Sequence, residues 1–205
     1  MHEEALTREA ASFLPVFSRF KEFYLVGGTA LALQIGHRIS VDFDFFSEEE
    51  LPHGLLQRIK QAFANTSLVV TYQAPEQLNV VLGNVQTTFL YYPYPVLDSL
   101  LEFKSVHVAT MREIAAMKAY AIGRRLSYKD YVDWYFMLKG NHIQLSDVLT
   151  IAQKKFGGDF SDRLFLGQLV SAEDVPEQKI DFLRDAPNRE TIEKFLIETV
   201  RAFEI

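Results

Sequence analysis

The chain has 205 residues, of which 48% are hydrophobic, and it carries a formal charge of −6 at pH 7. This composition excludes a disordered chain, and the length fits one domain or two small subdomains. The absence of cysteine excludes disulfides, thiolate zinc sites and cysteine nucleophiles. The negative charge argues against a broad surface that coats nucleic acid, although Arg124, Arg125 and Lys129 could form a small basic patch.

The N-terminus carries acids where a secretory signal would carry basic residues, and no later run approaches the roughly 18 apolar residues of a membrane span. We therefore expect a cytoplasmic chain that does not engage a membrane.

The first half of the chain predicts helices and strands arranged around two glycines. Helical spacing of apolar residues predicts a helix over 5–20, and a short buried strand follows over 23–26. Gly27 and Gly28 interrupt this strand, and a short apolar helix over 29–35 begins at once. Backbone N–H groups at the start of such a helix can hold a phosphate, and glycine lets the backbone approach it closely. An ordinary tight turn is the alternative.

Further along, three Ser/Thr capping boxes and several alternating runs predict the remaining elements. Ser47 with Glu50 opens a helix to about residue 65, and strands follow over 68–73, 78–82 and 85–92, the last two joined by the Gly83–Asn84 turn. Past Pro95 the pattern becomes helical. Thr110 with Glu113 opens a helix that ends near 123 or 125, Ser127 with Asp130 opens one to about 139, and further helices are predicted over 146–156, 161–171, 176–184 and 190–204. This pattern predicts a mixed α/β core over 1–95 and a mostly helical region over 96–205 packed on it.

Two aspartates lie two residues apart in the alternating run over 39–46, which predicts a strand. Asp42 and Asp44 therefore project to one face with Ser40, while Val41, Phe43 and Phe45 face the core. Carboxylates this close repel each other unless a cation lies between them, and Mg²⁺ that also coordinates substrate phosphates suits such a site. Phosphoryl transfer needs a phosphate-binding turn and a metal-binding strand side by side. An exposed strand with two solvated acids is the alternative.

Residues 23–33, Phe-Tyr-Leu-Val-Gly-Gly-Thr-Ala-Leu-Ala-Leu, and 37–46, His-Arg-Ile-Ser-Val-Asp-Phe-Asp-Phe-Phe, resemble the polymerase β-like nucleotidyltransferases. Within that superfamily they are most similar to the AbiEii/AbiGii toxin family of bacterial abortive-infection and toxin–antitoxin systems. The resemblance implies an α/β (α+β) fold, a mixed sheet with flanking helices followed by a mostly helical second half. It also implies that the chain uses an NTP with Mg²⁺ or Mn²⁺ and transfers a nucleoside monophosphate to an acceptor hydroxyl, releasing pyrophosphate.

Two later segments match further parts of the family's pattern. Lys118 is the only charged residue between positions 114 and 123, and a lysine on an inward helix stripe needs an anionic partner or a route to water. The resemblance implies that it contacts the nucleotide phosphates, whereas a lysine reaching solvent is the alternative. Asp130 and Asp133 lie in a segment that resembles the family's Arg-x-x-Lys-Asp-x-x-Asp region, which implies that an aspartate, Asp130 before Asp133, acts as base. Otherwise Asp130 caps a helix and Asp133 pairs with Lys129 at the surface.

The resemblance thus predicts a complete set of site residues. The catalytic residues are Asp42, Asp44, Lys118 and Asp130, with Asp133 as a further candidate, and the metal ligands are Asp42 and Asp44. The nucleotide-binding residues are Gly27, Gly28, Thr29, Arg38, Ser40, Lys118, Arg124 and Lys129. One departure is that the strand over 85–92 contains no acid, whereas many polymerase β-like enzymes carry a third carboxylate on a later strand.

The acceptor and the partners follow only from the resemblance, which implies RNA, notably tRNA ends, and a cognate antitoxin. A nucleotidyltransferase that modifies a small molecule such as an antibiotic is one alternative. A catalytically silent module of the same fold, which binds nucleotide or a partner, is another, and the missing third acid favours it. Four histidines, His2, His53, His107 and His142, show no spacing typical of a zinc site or triad, and they and Trp134 are expected in the core or at the surface.

Overall fold

The structure is a computed structural model that describes residues 1–122, 124–125 and 127–203. The helices are Arg8–Phe17 (α1), Gly27–Ile35 (α2), Leu55–Ala62 (α3), Met111–Ala121 (α4), Tyr128–Lys139 (α5), Leu145–Phe156 (α6), Asp162–Leu169 (α7) and Arg189–Ala202 (α8). The strands are Tyr24–Val26 (β1), Phe43–Ser47 (β2), Leu68–Ala74 (β3), Gln77–Leu82 (β4), Val85–Tyr91 (β5), Leu101–Phe103 (β6) and Val106–Val108 (β7). Short 3-10 turns lie at Glu3–Ala5, Gly157–Asp159 and Ala172–Asp174.

All seven of these strands form one mixed sheet in the order β3-β4-β5-β2-β1-β7-β6. Strand β2 runs antiparallel to β1 and parallel to β5, and β1 runs parallel to β7. The predicted α/β fold with a mostly helical second half is therefore confirmed. Strands β6 and β7 were not predicted, and they extend the same sheet from beyond residue 95. The division of the chain into 1–95 and 96–205 stays a prediction.

The two faces of the sheet differ in chemistry because side chains alternate along each strand. On one face Phe43, Phe45 and Phe89 join Phe17 of α1 in an aromatic core, with the Phe17 ring centroid 5.0 Å from that of Phe43 and 4.7 Å from that of Phe45. The opposite face carries Asp44 and lies toward α4. The aromatic residues of β2 thus anchor the strand in the core and leave Asp44 on the face where a cavity can form.

Two predicted helices are corrected by the structure. Ser47 does not open a helix, because it is the buried last residue of β2, and α3 begins only at Leu55, after Gly54 with φ 81°. Residues 176–184 are not helical. They extend along residues 37–39, where Ile39 N–H donates to the Asp181 carbonyl at 2.8 Å and Leu183 N–H donates to the His37 carbonyl at 3.0 Å.

Two further predictions concern the start and end of α4. The predicted cap at Thr110 is confirmed, since its hydroxyl accepts a hydrogen bond from the Glu113 N–H at 3.3 Å. The Glu113 carboxylate is not used in the capping box. It is buried and accepts a hydrogen bond from the Lys155 ammonium at 2.7 Å. Helix α4 ends at Ala121, and the predicted end at Gly123 lies outside the described residues.

In the part of the chain that the structure describes, no helix has the length and apolarity to cross a membrane.

Candidate active site

The turn between β1 and α2 brings two charged side chains against the start of a helix. Helix α2 begins at Gly27, and among the described residues no side chain caps its N-terminus, so its first N–H groups can meet an anion. Gly27 has φ 70°, and a Cβ there would lie 2.5 Å from Asp44 Oδ2. A Cβ on Gly28 would lie 2.3 Å from a terminal nitrogen of Arg38. Both glycines are therefore required by side chains of the protein itself.

The loop over residues 36–42 is fixed to the first turn of α2. The buried Thr29 hydroxyl hydrogen-bonds to the Ser40 hydroxyl at 2.8 Å and contacts the carbonyl oxygen of Asp42. Strand β2 starts only at Phe43, so the predicted strand over 39–46 is too long, and Val41 is 39% exposed where it was expected to face the core. The loop nevertheless holds Asp42 beside the helix N-terminus.

One polar cavity of about 190 Å³ collects most of the predicted site residues. Predicted residues in its wall come from α2, the following loop, β2, α4 and α5, which are far apart in the sequence. They are Gly28, Thr29, Arg38, Ser40, Asp42, Asp44, Lys118, Lys129, Asp130 and Asp133, joined by Arg125 and Ser127, which were not in the predicted set. Gly27 and Arg124 instead line an adjoining cavity that shares Asp44, Lys118 and Arg125 with the first.

Asp133 is the centre of a buried ion cluster. Arg38 donates to both of its oxygens, at 2.8 and 3.1 Å, Lys118 lies 2.6 Å away and His37 Nε2 lies 2.7 Å away. Burial alone would raise the pKa of Asp133, but Arg38, Lys118 and His37 outweigh it and hold the pKa well below its usual value. The alternative of a surface pair with Lys129 is therefore wrong.

Asp130 accepts hydrogen bonds from two cations. Lys118 donates to it at 2.8 Å, and the Arg125 guanidinium donates twice, at 2.9 Å each. Burial would raise the pKa of Asp130, but these partners lower it. Asp130 does not cap α5, because Ser127 occupies the cap position without a side-chain hydrogen bond. The anionic partner expected for the buried Lys118 is thus present twice, as Asp130 and Asp133.

Asp42 and Asp44 form the remaining pair of carboxylates in the polar cavity. Burial raises the pKa of Asp44, Asp42 raises it further, and Arg125 and Lys118 oppose the increase. A divalent cation would offset the repulsion between these two groups. Within the described residues no group of three or more His, Cys, Asp or Glu side chains could hold a metal ion. The pair therefore suits a cation whose other ligands are phosphate oxygens and water.

The register of the sheet shows which residue stands where a third carboxylate would complete this pair. Strand β5 runs parallel to β2, and Thr88 lies directly opposite Asp44. Both side chains line the adjoining cavity. A neutral hydroxyl group therefore occupies the position next to Asp44, which agrees with the absence of an acid from the strand predicted over 85–92.

Sequence reasoning left out several residues that line the two cavities or contact their walls. His37 was quoted in the motif and given no role, although its adjacency to Arg38 was a signal. Arg125 was considered only as part of a surface patch. Gln77, Thr88 and Tyr120 had no sequence signal, since only the pairing of β4, β5 and β2 and the packing of α4 bring them toward Asp44. Trp134, expected in the core or at the surface, lies in the core.

Comparison with known proteins gives four matches that bear on the family and the fold. A family model described as "Nucleotidyl transferase AbiEii toxin, Type IV TA system" matches residues 11–95. An uncharacterized protein of Aquifex aeolicus (strain VF5) is 31% identical over 199 residues, which cover 96% of this chain and 95% of the relative. The crystal structure of JHP933 from Helicobacter pylori shares the fold with a TM-score of 0.54 at 17% identity, covering 96% of this chain and 97% of that one.

A second crystal structure, of a proposed nucleotidyltransferase from H. pylori, has a TM-score of 0.55 at 17% identity and covers 94% of this chain and 98% of that chain. The family model spans the turn, the loop and β2, which supply the glycines and the two aspartates described above. The chain therefore belongs to the nucleotidyl transferase AbiEii toxin family, and its enzyme class is that of a nucleotidyltransferase.

Proposed function

We propose that the chain transfers a nucleoside monophosphate from an NTP to an acceptor hydroxyl, with Mg²⁺ or Mn²⁺ held by Asp42 and Asp44. The observation that carries this proposal is the polar cavity, in which two unneutralised carboxylates face Lys118 and Arg125 beside the N-terminus of α2. A metal-bound triphosphate supplies the positive charge that Asp42 and Asp44 lack, and its phosphates can replace Asp130 as the partner of Lys118 and Arg125.

The cations of the cavity provide the phosphate contacts. Lys118 is 4% exposed and pairs with two carboxylates, so a triphosphate entering the cavity would meet a positioned ammonium group. Arg125 is largely exposed and can turn from Asp130 to a phosphate. Arg38 is held by Asp133 with its guanidinium against Gly28, where it keeps the start of α2 positive. Thr29, Ser40 and Lys129 complete the polar wall.

In the proposed step, Asp130 takes the proton from the acceptor hydroxyl while the acceptor oxygen attacks the α-phosphorus. The bond from the α-phosphorus to the bridging oxygen breaks, and pyrophosphate leaves with that electron pair. Asp130 has a lowered pKa while Lys118 and Arg125 donate to it, and it becomes a stronger base when the triphosphate draws these cations away. A bound Mg²⁺ would neutralise phosphate charge during this step.

RNA, specifically the ends of tRNA, is the proposed acceptor. The family model describes toxins of toxin–antitoxin systems, so a cognate antitoxin is the proposed partner and the cytoplasm the proposed place of action. The cavity wall offers Arg125 and Lys129 to the acceptor side, which is a small basic patch on a chain of net negative charge. A small-molecule acceptor would need no such patch.

The test is transfer of label from each of the four NTPs to total tRNA in the presence of Mg²⁺. We expect transfer by the wild type and a loss of at least about a hundredfold in Asp42→Asn, because removal of one of two carboxylates removes half of the protein's metal ligands. Asp185→Asn, an exposed carboxylate in a loop, serves as the matched control and should keep full activity. Label on a small molecule and not on RNA would identify the alternative acceptor. Nucleotide binding without transfer to RNA, protein or small molecules would identify the silent module.

A further inference from the structure

The second cavity, which we call the apolar cavity, adjoins the polar one. It has a volume of about 390 Å³ and shares Asp44, Lys118 and Arg125 with the polar cavity. Apart from these charged groups and Arg124, its wall is mainly apolar and aromatic, with Phe46 and Tyr92 from the sheet side and Met117 and Tyr120 from α4. Such volumes and linings are typical of sites for flat organic groups. A ligand that fills both cavities therefore has one polyanionic end and one flat end.

One wall of the apolar cavity ends in a layered stack. The rings of Phe156 and Tyr120 are parallel, with centroids 4.3 Å apart and planes 15° apart. The Arg124 guanidinium lies 3.9 Å from the Tyr120 ring centroid, which places it on the ring face that Phe156 leaves open. Arg124 is exposed and lines the cavity. A guanidinium plane held on an aromatic ring offers its other face to a heteroaromatic ring.

Another part of the wall contains a side-chain amide held by a hydrogen bond. Gln77 Nε2 donates to Asn79 Oδ1 at 2.9 Å. That bond does not use the side-chain oxygen Oε1 of Gln77 or the second hydrogen on Nε2, so both can contact a ligand. Gln77 pairs across the sheet with Leu90, and Leu90 pairs with Phe46, on the face that carries Asp44. Strand β4 lies two strands from β2, a separation of about 10 Å. Asp44 and the Gln77 amide therefore line the same cavity from strands that are two strand spacings apart.

We propose that the apolar cavity binds the base of the NTP, with Arg124 as the stacking platform and Gln77 as the residue that selects among bases. The bond to Asn79 fixes which side of the Gln77 amide carries the donor and which the acceptor, so the amide favours bases whose edge presents the complementary order over bases that present the reverse order. Arg124 stacks on any base and so sets affinity without selectivity. This inference rests on the proposed function for the presence of an NTP, and it adds where the base lies and what reads it.

The test measures the dissociation constants of the α,β-methylene analogues of ATP, GTP, CTP and UTP, and of inorganic tripolyphosphate, by calorimetry in Mg²⁺. Arg124→Met should weaken all four analogues by about tenfold and leave tripolyphosphate unchanged. Gln77→Leu should raise the dissociation constant of the preferred analogue about tenfold and bring the four dissociation constants closer together. Gln86→Leu, an exposed glutamine on the neighbouring strand, is the matched control and should change nothing.

Three results would overturn the proposal. They are equal binding of the four analogues by the wild type, an unchanged spread in Gln77→Leu, and an equal loss of tripolyphosphate and nucleotide binding in Arg124→Met, which would place Arg124 on the phosphates. Failure of all analogues to bind would instead refute the proposed function, and the base pocket with it. The three results above are separable from failure of the proposed function, since analogue binding requires no acceptor, and label transfer with unchanged base preference in Gln77→Leu would refute only the base pocket.

Discussion

Replacement of Asp133 by Asn tests whether the buried ion cluster stabilises the fold. The carboxylate has no exposed surface and receives Arg38, Lys118 and His37 within 3.1 Å. Asparagine removes the charge but keeps the shape, so Arg38 is left buried without its carboxylate. Removal of one partner from a buried pair costs about 3–5 kcal/mol. For a chain of this length, that loss lowers Tm by about 6–20 °C.

The free energy of unfolding can be measured by urea titration with the fluorescence of the buried Trp134 as the signal. Asp185→Asn, which removes an exposed loop carboxylate, is the matched control and should stay within about 0.5 kcal/mol of the wild type. If the free energy of unfolding of Asp133→Asn lies within about 1 kcal/mol of the wild-type value, the Asp133 carboxylate does not stabilise the fold as proposed.

The same cluster predicts a dependence of stability on acid. Because the folded pKa of Asp133 is depressed, its contribution is fully present above the unfolded pKa near 3.8 and is lost as pH falls through the lower folded pKa. The contribution of Asp133 to the difference in unfolding free energy between the wild type and Asp133→Asn should therefore shrink as pH falls below about 4. If the difference in unfolding free energy instead grows below about pH 4, the depressed pKa of Asp133 is not the source of the stability.

Two further changes test the geometry of the site, and a third tests a helix outside it. Thr88→Asp should raise the affinity for Mn²⁺ about tenfold in a titration followed by electron paramagnetic resonance, because it adds a carboxylate opposite Asp44; unchanged affinity would contradict this register. Gly28→Ala should lower stability and NTP binding together, since its methyl group would lie 2.3 Å from the Arg38 guanidinium. Gly167→Ala, at a helical glycine with open space around it, should instead raise the unfolding free energy by up to about 1 kcal/mol, and a lower unfolding free energy would show that the space around Gly167 is not open.

Local patterns predicted the part of the chain where short-range chemistry decides the structure. The strand, the two glycines and the start of α2 follow from sequence, as do β4 and β5 around the Gly83–Asn84 turn. The helix expected at Ser47 failed because the loop before Leu55 ends at Gly54 in a left-handed conformation, which starts the helix several residues later. The expected helix over 176–184 failed because tertiary hydrogen bonds to residues 37–39 outweigh local periodicity.

The roles of individual charges could be predicted only in part, because they depend on partners distant in sequence. The inward position of Lys118 required an anion, and the structure supplies Asp130 and Asp133. No pattern indicated that Asp133 would pair with Arg38, which lies 95 residues away in sequence. Likewise, the spacing of Arg124 and Arg125 cannot tell which of them faces the carboxylates. The packing of α4 and α5 against α2 decides it.

The pairing of charges in the polar cavity separates four similar aspartates into two functions. Four carboxylates, of Asp42, Asp44, Asp130 and Asp133, share the wall with four cations, of Arg38, Lys118, Arg125 and Lys129. The described ion pairs join Arg38, Lys118 and Arg125 to the two aspartates of α5, so the cavity is divided before any ligand enters. Asp42 and Asp44 are left facing a helix N-terminus, where burial and then repulsion from Asp42 raise the pKa of Asp44. A cation alone would relieve that pair, and a triphosphate alone would compete for Lys118 and Arg125. A metal ion bound between Asp42, Asp44 and the phosphates offsets the negative charge of both, so we expect metal and NTP to bind with positive cooperativity, each raising the affinity for the other.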